Sequence, residues 1–131
     1  MDKVLIVDDE ERILRLYSSV LRKAGYEVVT ASSAKLGIEL AASAQPNLIL
    51  LDVMMPATDG AEALAILSEN SRTKHIPVIF LTSLLKEEEQ DDPQGEIGGH
   101  VFISKSTPNA RIVARVKKAL SAVPSRPDPV Q

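Results

Sequence analysis

Four short apolar runs punctuate the chain: Val4-Leu5-Ile6-Val7, Leu48-Ile49-Leu50-Leu51, Val78-Ile79-Phe80-Leu81 and Val101-Phe102-Ile103. A fifth run, Tyr26-Glu27-Val28-Val29-Thr30, alternates less cleanly. Runs this short, apolar at successive positions and rich in β-branched residues, predict strands buried on both faces of a parallel sheet, and the mixed run predicts an edge. Between them the apolar period lengthens to that of a helix. Ile13, Leu14, Leu16, Tyr17, Val20 and Leu21 fall on one helical stripe, which Gly25 stops. Ser32 or Ser33 can cap a helix carrying Leu36, Leu40 and Ala41, and Asp59 one carrying Ala63, Leu64, Ile66 and Leu67. Thr107 as cap and Pro108 at the first helical position open a last helix with Ile112, Val113, Val116 and Leu120 inside. Residues 84–98 hold an acidic run, Pro93 and Gly95, which predict at most a short or broken helix.

Strands alternating with helices imply right-handed crossovers and an α/β fold, a doubly wound parallel sheet with helices on both faces. The length of 131 residues suits one domain. We place that domain at 1–123 and read 124–131, with Pro124, Pro127 and Pro129, as a Pro-rich tail or linker stub. No internal repeat is present.

Composition narrows the chemistry. Hydrophobic residues make up 44% and charged residues 25%, an ordinary globular balance that argues against wholesale disorder. Two Tyr, two Phe and no Trp leave nothing for an aromatic nucleic-acid platform. The absence of Cys excludes disulfides, thiol catalysis and thiolate metal sites. A net charge of −3 disfavours nonspecific binding to nucleic acid or anionic membrane. No apolar run approaches the roughly 18 residues of a membrane span, and the start Met1-Asp2-Lys3 lacks signal-peptide order, so the expectation is a cytoplasmic protein with no direct nucleic-acid contact and no membrane insertion.

In an open parallel sheet, ligands bind beyond the carboxyl ends of the strands, where the crossover loops part. The residues just after the apolar runs are Asp8 and Asp9, then Asp52, then Thr82, then Lys105 after Ser104, whereas the mixed run supplies only Thr30. Taken singly each has an ordinary structural role: an acidic pair favours a helix N-terminus, Asp or Thr caps a turn, Lys is solvated. Together they say more. Three carboxylates converging on one rim repel one another unless a cation and a positive side chain join them. Carboxylate oxygens with room for water suit Mg²⁺, and Lys105 can be the positive side chain.

Four segments carry a closer likeness: Val-Leu-Ile-Val-Asp-Asp-Glu at 4–10, Leu-Ile-Leu-Leu-Asp-Val-Met-Met-Pro-Ala-Thr-Asp-Gly at 48–60, Pro-Val-Ile-Phe-Leu-Thr-Ser at 77–83 and Phe-Ile-Ser-Lys at 102–105. With them the chain resembles the response-regulator receiver domain of two-component signalling from about Lys3 to Val123. The resemblance implies a flavodoxin-like five-stranded sheet of order 2-1-3-4-5. It makes Asp52 the phosphoryl acceptor, charged from a sensor histidine kinase or a histidine phosphotransfer protein. Asp8, Asp9, Asp52 and the backbone carbonyl of Met54 become the Mg²⁺ ligands, Asp9 directly and Asp8 mainly through water. Lys105 pairs with the phosphoryl group, Thr82 hydrogen-bonds it, and Phe102 is the aromatic switch that follows Thr82. On this reading the protein is no enzyme beyond its own phosphorylation and dephosphorylation. The chemistry agrees, because a carboxylate can be a phosphorus nucleophile and phosphoryl transfer needs mainly positioning and charge neutralisation.

The chain departs from the family pattern at three points. Ser106 stands where Pro, in a cis peptide, usually follows the lysine; Phe102 replaces the commoner Tyr; and Gly98-Gly99 precedes the last strand where Gly-Ala is usual. Met54 and Leu84, both apolar, occupy the positions that influence phosphoryl lifetime in the family, so the phosphorylated state is expected to be long-lived. The acidic run Glu87-Glu88-Glu89 with Asp91-Asp92, and Arg111, Arg115, Lys117 and Lys118 on the last helix, read first as solvated faces and second as partner surfaces. His75 and His100 show no ligand spacing. Two other functions compete. A phosphatase built on a strand-end Asp needs a second Asp two residues on, where Met54 sits. The other is a receiver-shaped interaction module that is never phosphorylated.

Overall fold

The computed structural model describes residues 1–53, 60–83, 96–97 and 100–122. The expected cap Asp59, the Met54 carbonyl, Leu84, the acidic run and the tail 124–131 lie outside the described residues. Along the chain run β1 (Lys3–Val7), α1 (Glu11–Lys23), β2 (Glu27–Ala31), α2 (Ala34–Ala44), β3 (Leu48–Asp52), α3 (Gly60–Glu69), β4 (Val78–Thr82), β5 (Glu96–Ile97), β6 (His100–Ser104) and α4 (Asn109–Ala122). The sheet order is β2-β1-β3-β4-β6-β5. Its five long strands are parallel and follow the expected 2-1-3-4-5 order. The two-residue β5, which the apolar pattern does not announce, adds an antiparallel edge against β6. Among the described residues no helix is long and apolar enough to cross a membrane.

The continuous apolar runs are explained by burial on both faces. Val4, Ile6, Leu48, Leu50, Ile79, Leu81 and Ile103 point to one side, where Ile13, Tyr17 and Leu21 of α1 and Ile112 and Val116 of α4 cover them. Leu5, Val7, Ile49, Leu51 and Phe80 point to the other, under Ala34 and Ala41 of α2 and Ala63 and Leu67 of α3. β3 lies at the centre and is buried throughout, whereas the edge strand β2 is mixed, as its sequence required.

Local signals account for the helix ends. α1 ends in a Schellman turn: Gly25, at φ +99°, donates to Arg22 O, and Tyr26 donates to Leu21 O. Ser33, of the two serines considered, caps α2, its hydroxyl accepting from Leu36 N at 3.2 Å. The last helix begins at Asn109, so Pro108 sits just before the first helical residue rather than in it, with its carbonyl accepting from Ile112 N.

Three expected core positions are corrected. Leu16 is 36% exposed, Leu36 39% and Ile66 41%. At about 100° per residue, Leu16 lies about 130° from the centre of the arc formed by Ile13, Leu14, Tyr17, Ser18 and Leu21, so Ser18 is buried in its place.

Candidate functional site

The parallel register brings the polar residues to one rim. Asp52 ends β3 opposite Leu81, and Thr82 ends β4 opposite Ser104. Each strand end is then held by its neighbour: Asp8 N donates to Ala31 O at 3.1 Å, Val53 N to Leu81 O at 3.1 Å and Lys105 N to Thr82 O at 2.8 Å. Asp8, Asp52 and Thr82 are buried, while Asp9 points outward.

Charge at the rim is densely compensated. The Lys105 ammonium lies 2.9 Å from Asp8 Oδ2, 3.3 Å from Asp52 Oδ2 and 2.7 Å from Glu10 Oε1. Glu10 follows the acidic pair, and the turn is closed by Glu10 N donating to Asp8 Oδ1 at 2.9 Å. Burial pushes the Asp8 carboxyl above the usual aspartate range, with Asp52 adding to the effect, while the Glu10 amide and Lys105 pull it back. Burial pulls the Lys105 ammonium down, but its bonds to Glu10 and Asp8 and the nearby Asp8 and Asp52 charges outweigh that and hold it above the ordinary lysine value. It is a fixed ammonium.

Asp8, Asp9 and Asp52 each offer an oxygen, and these lie within 4.8 Å of one another. Asp8 Oδ2 is buried, with the Lys105 ammonium 2.9 Å away. A set of three converging hard carboxylate oxygens, open to water on the Asp9 side, fits a divalent cation such as Mg²⁺.

Two further expectations can be placed. The Lys105–Ser106 peptide is trans. Ser106, having the N–H that Pro lacks, donates it to Ser104 Oγ at 3.1 Å, and the two hydroxyls pair at 2.7 Å. The loop without Pro therefore still delivers Lys105 to the rim. Phe102 is half-buried and stacks on Phe80, with ring centroids 5.1 Å apart. The structure brings Asp8, Asp9, Asp52 and Lys105 together, with Thr82 at the end of the neighbouring β4, and adds Glu10, which was not among the residues expected from sequence. The signal was available: an acid two residues after Asp8, at the mouth of the same loop.

Comparison with known proteins gives a consistent result. Residues 4–117 match the family model described as response regulator receiver domain. The alkaline phosphatase synthesis transcriptional regulatory protein PhoP of Bacillus subtilis is 38% identical over 119 residues, which are 90% of this chain and 48% of that protein. The polar-differentiation response regulator DivK of Brucella ovis is 32% identical, over 89% of this chain and 94% of its own. The chain thus spans about half of the first relative and nearly all of the second. Among solved structures, the chemotaxis protein CheY4 of Vibrio cholerae superposes with a TM-score of 0.73 at 30% identity, covering 95% of this chain and 99% of that one.

Proposed function

The chain belongs to the response regulator receiver family, and on that premise we propose that Asp52 is its phosphoryl acceptor, served by Lys105, Thr82 and a Mg²⁺ ion. The observation that carries this reading is the placement of Asp52: at the end of the fully buried central strand, 3.3 Å from a fixed ammonium and beside two further carboxylates. A carboxylate so placed is shielded from bulk water, and its nearest cation already occupies the side from which phosphoryl charge must be balanced.

The reaction follows from these residues. An Asp52 oxygen attacks the phosphorus of a phosphohistidine on a sensor kinase or histidine phosphotransfer protein. A P–O bond forms as the P–N bond breaks, and the imidazole leaves with its electron pair. Lys105 and the Thr82 hydroxyl hold the transferred phosphoryl oxygens. Asp8, Asp9, Asp52 and the Met54 carbonyl would hold the Mg²⁺, which, when bound, neutralises phosphoryl charge that the carboxylates would otherwise repel. The phosphoryl group, with its charge and acceptor oxygens, then draws on Thr82 and biases Phe102. The output is signalling through a partner or an attached domain; the chain itself turns over nothing but its own acyl phosphate. This reading includes a cytoplasmic location, where such donors are charged from ATP.

Acetyl phosphate with Mg²⁺ should add about 80 Da, one phosphoryl mass, to the wild type and nothing to Asp52→Asn. Persistence of the adduct in the variant overturns the acceptor assignment. No adduct in the wild type, from acetyl phosphate or any phosphohistidine donor, favours an interaction module that is never phosphorylated.

A further inference from the structure

The Lys105 ammonium has three N–H donors, and three carboxylates face them. The shortest of these contacts, a 2.7 Å hydrogen bond, is to Glu10, the one carboxylate that lies outside the cation-compatible cluster of Asp8, Asp9 and Asp52. We propose that Glu10 is a positioning residue that restrains Lys105 in the unphosphorylated state and sets how readily Lys105 turns to a phosphoryl group on Asp52. The inference rests on the acceptor reading above.

Glu10 and a phosphoryl group on Asp52 compete for the same ammonium. A phosphoryl group on Asp52 needs at least one ammonium N–H, so one of the existing contacts must lengthen or break. A cation bound by Asp8 and Asp52 draws on their negative charge and loosens their hold on Lys105. Glu10 receives no such relief. Its side chain is 46% exposed and lies against an ammonium only 10% exposed. The contact that opposes movement of Lys105 toward the phosphoryl group is therefore the Glu10 contact. The Glu10 main chain is tethered by its own amide to Asp8 Oδ1, so the carboxylate can follow Lys105 only as far as its side chain reaches from that turn.

Two measurements test this on the intact chain. The first is binding of beryllofluoride, a phosphoryl mimic, with Mg²⁺ present. Glu10→Ala should bind about two- to fivefold more tightly than the wild type, the scale of a partly exposed ion pair, and Glu10→Asp should fall between. The second needs neither donor nor metal: hydrogen exchange of the Lys105 ammonium, read by NMR, should quicken in Glu10→Ala. Circular dichroism on each variant checks folding, and Glu10→Gln, nearly isosteric, replaces Glu10→Ala should that variant unfold. Unchanged or weaker beryllofluoride binding in a folded variant overturns the inference alone, as does unchanged ammonium exchange. Failure of the wild type to bind beryllofluoride at all overturns the acceptor reading and this inference with it, even if the ammonium exchange responds as expected.

Discussion

At the scale of single residues the rim is an electrostatic balance built around one ammonium. Asp8 and Asp52 have almost no exposed surface, and Lys105, in contact with both, offsets their desolvation. Lys105→Met leaves two buried carboxylates facing each other, and we expect a loss of about 3 kcal/mol at neutral pH. Urea unfolding should show that loss, and Mg²⁺ should restore part of it in the variant. A second residue matters for stability rather than for the site. Tyr17 is fully buried, its hydroxyl has no hydrogen-bond partner among the described residues, and burial pushes its ionisation up to about 12. Its folded value lies above the unfolded value of about 10, so the unfolded state loses its proton first as pH rises. Stability should therefore fall by about 2–3 kcal/mol between about pH 10 and 12 through this group. Tyr17→Phe should remove that part of the fall and cost little at neutral pH, where the hydroxyl is buried unsatisfied. Parallel denaturant titrations of the two proteins at pH 7, 10 and 12 give the comparison.

At the scale of elements, α2 and β1 show how packing away from the rim reaches it. Gly37 of α2 lies directly on Val7: a Cβ built there meets Val7 Cγ2 at 2.7 Å and Cγ1 at 2.9 Å. Val7 is buried, β-branched and followed at once by Asp8, so it has little freedom to yield. Gly37→Ala should cost about 1–3 kcal/mol by overpacking and should also weaken Mg²⁺ binding, because α2 pushes on the strand that ends in the acidic pair. Val7→Ala combined with Gly37→Ala should recover stability relative to Gly37→Ala alone, measured by thermal unfolding. A simple sum of the two single losses would show that the contact does not transmit strain.

At the scale of the whole molecule, one sheet carries two cores, and Phe102, the switch residue of the proposed reading, sits on only one of them. Phe102 belongs to the face shared by α2 and α3 and stacks on Phe80, whose strand ends two residues later in Thr82. A phosphoryl group that draws Thr82 inward thus pulls on the strand that carries the Phe102 stacking partner. Beryllofluoride with Mg²⁺ should shift the ring resonances of Phe102, one strand beyond Phe80 in the sheet, as well as those of Phe80. Shifts confined to residues around Asp52 would show that the charge change stays local and that Phe102 is packing alone.

By itself the sequence determined the alternation of elements, the burial of the strands on both faces and the grouping of Asp8, Asp9, Asp52, Thr82 and Lys105, because each follows from local pattern plus the rule that a parallel sheet opens at its carboxyl ends. A serine cap at 32 or 33 and the Gly25 stop were legible because their chemistry is complete within six residues, and the structure selects Ser33. What needed tertiary structure was anything set by an angle or by a distant partner. The exposure of Leu16 depends on where the arc of α1 meets the sheet, and the two-residue β5 is defined only by its pairing with β6. The 2.7 Å contact at the rim between Glu10 and Lys105 spans 95 residues. Periodicity carries no information across that separation. It took the register of β1 against β3, of β3 against β4 and of β4 against β6 to bring a third carboxylate to the ammonium.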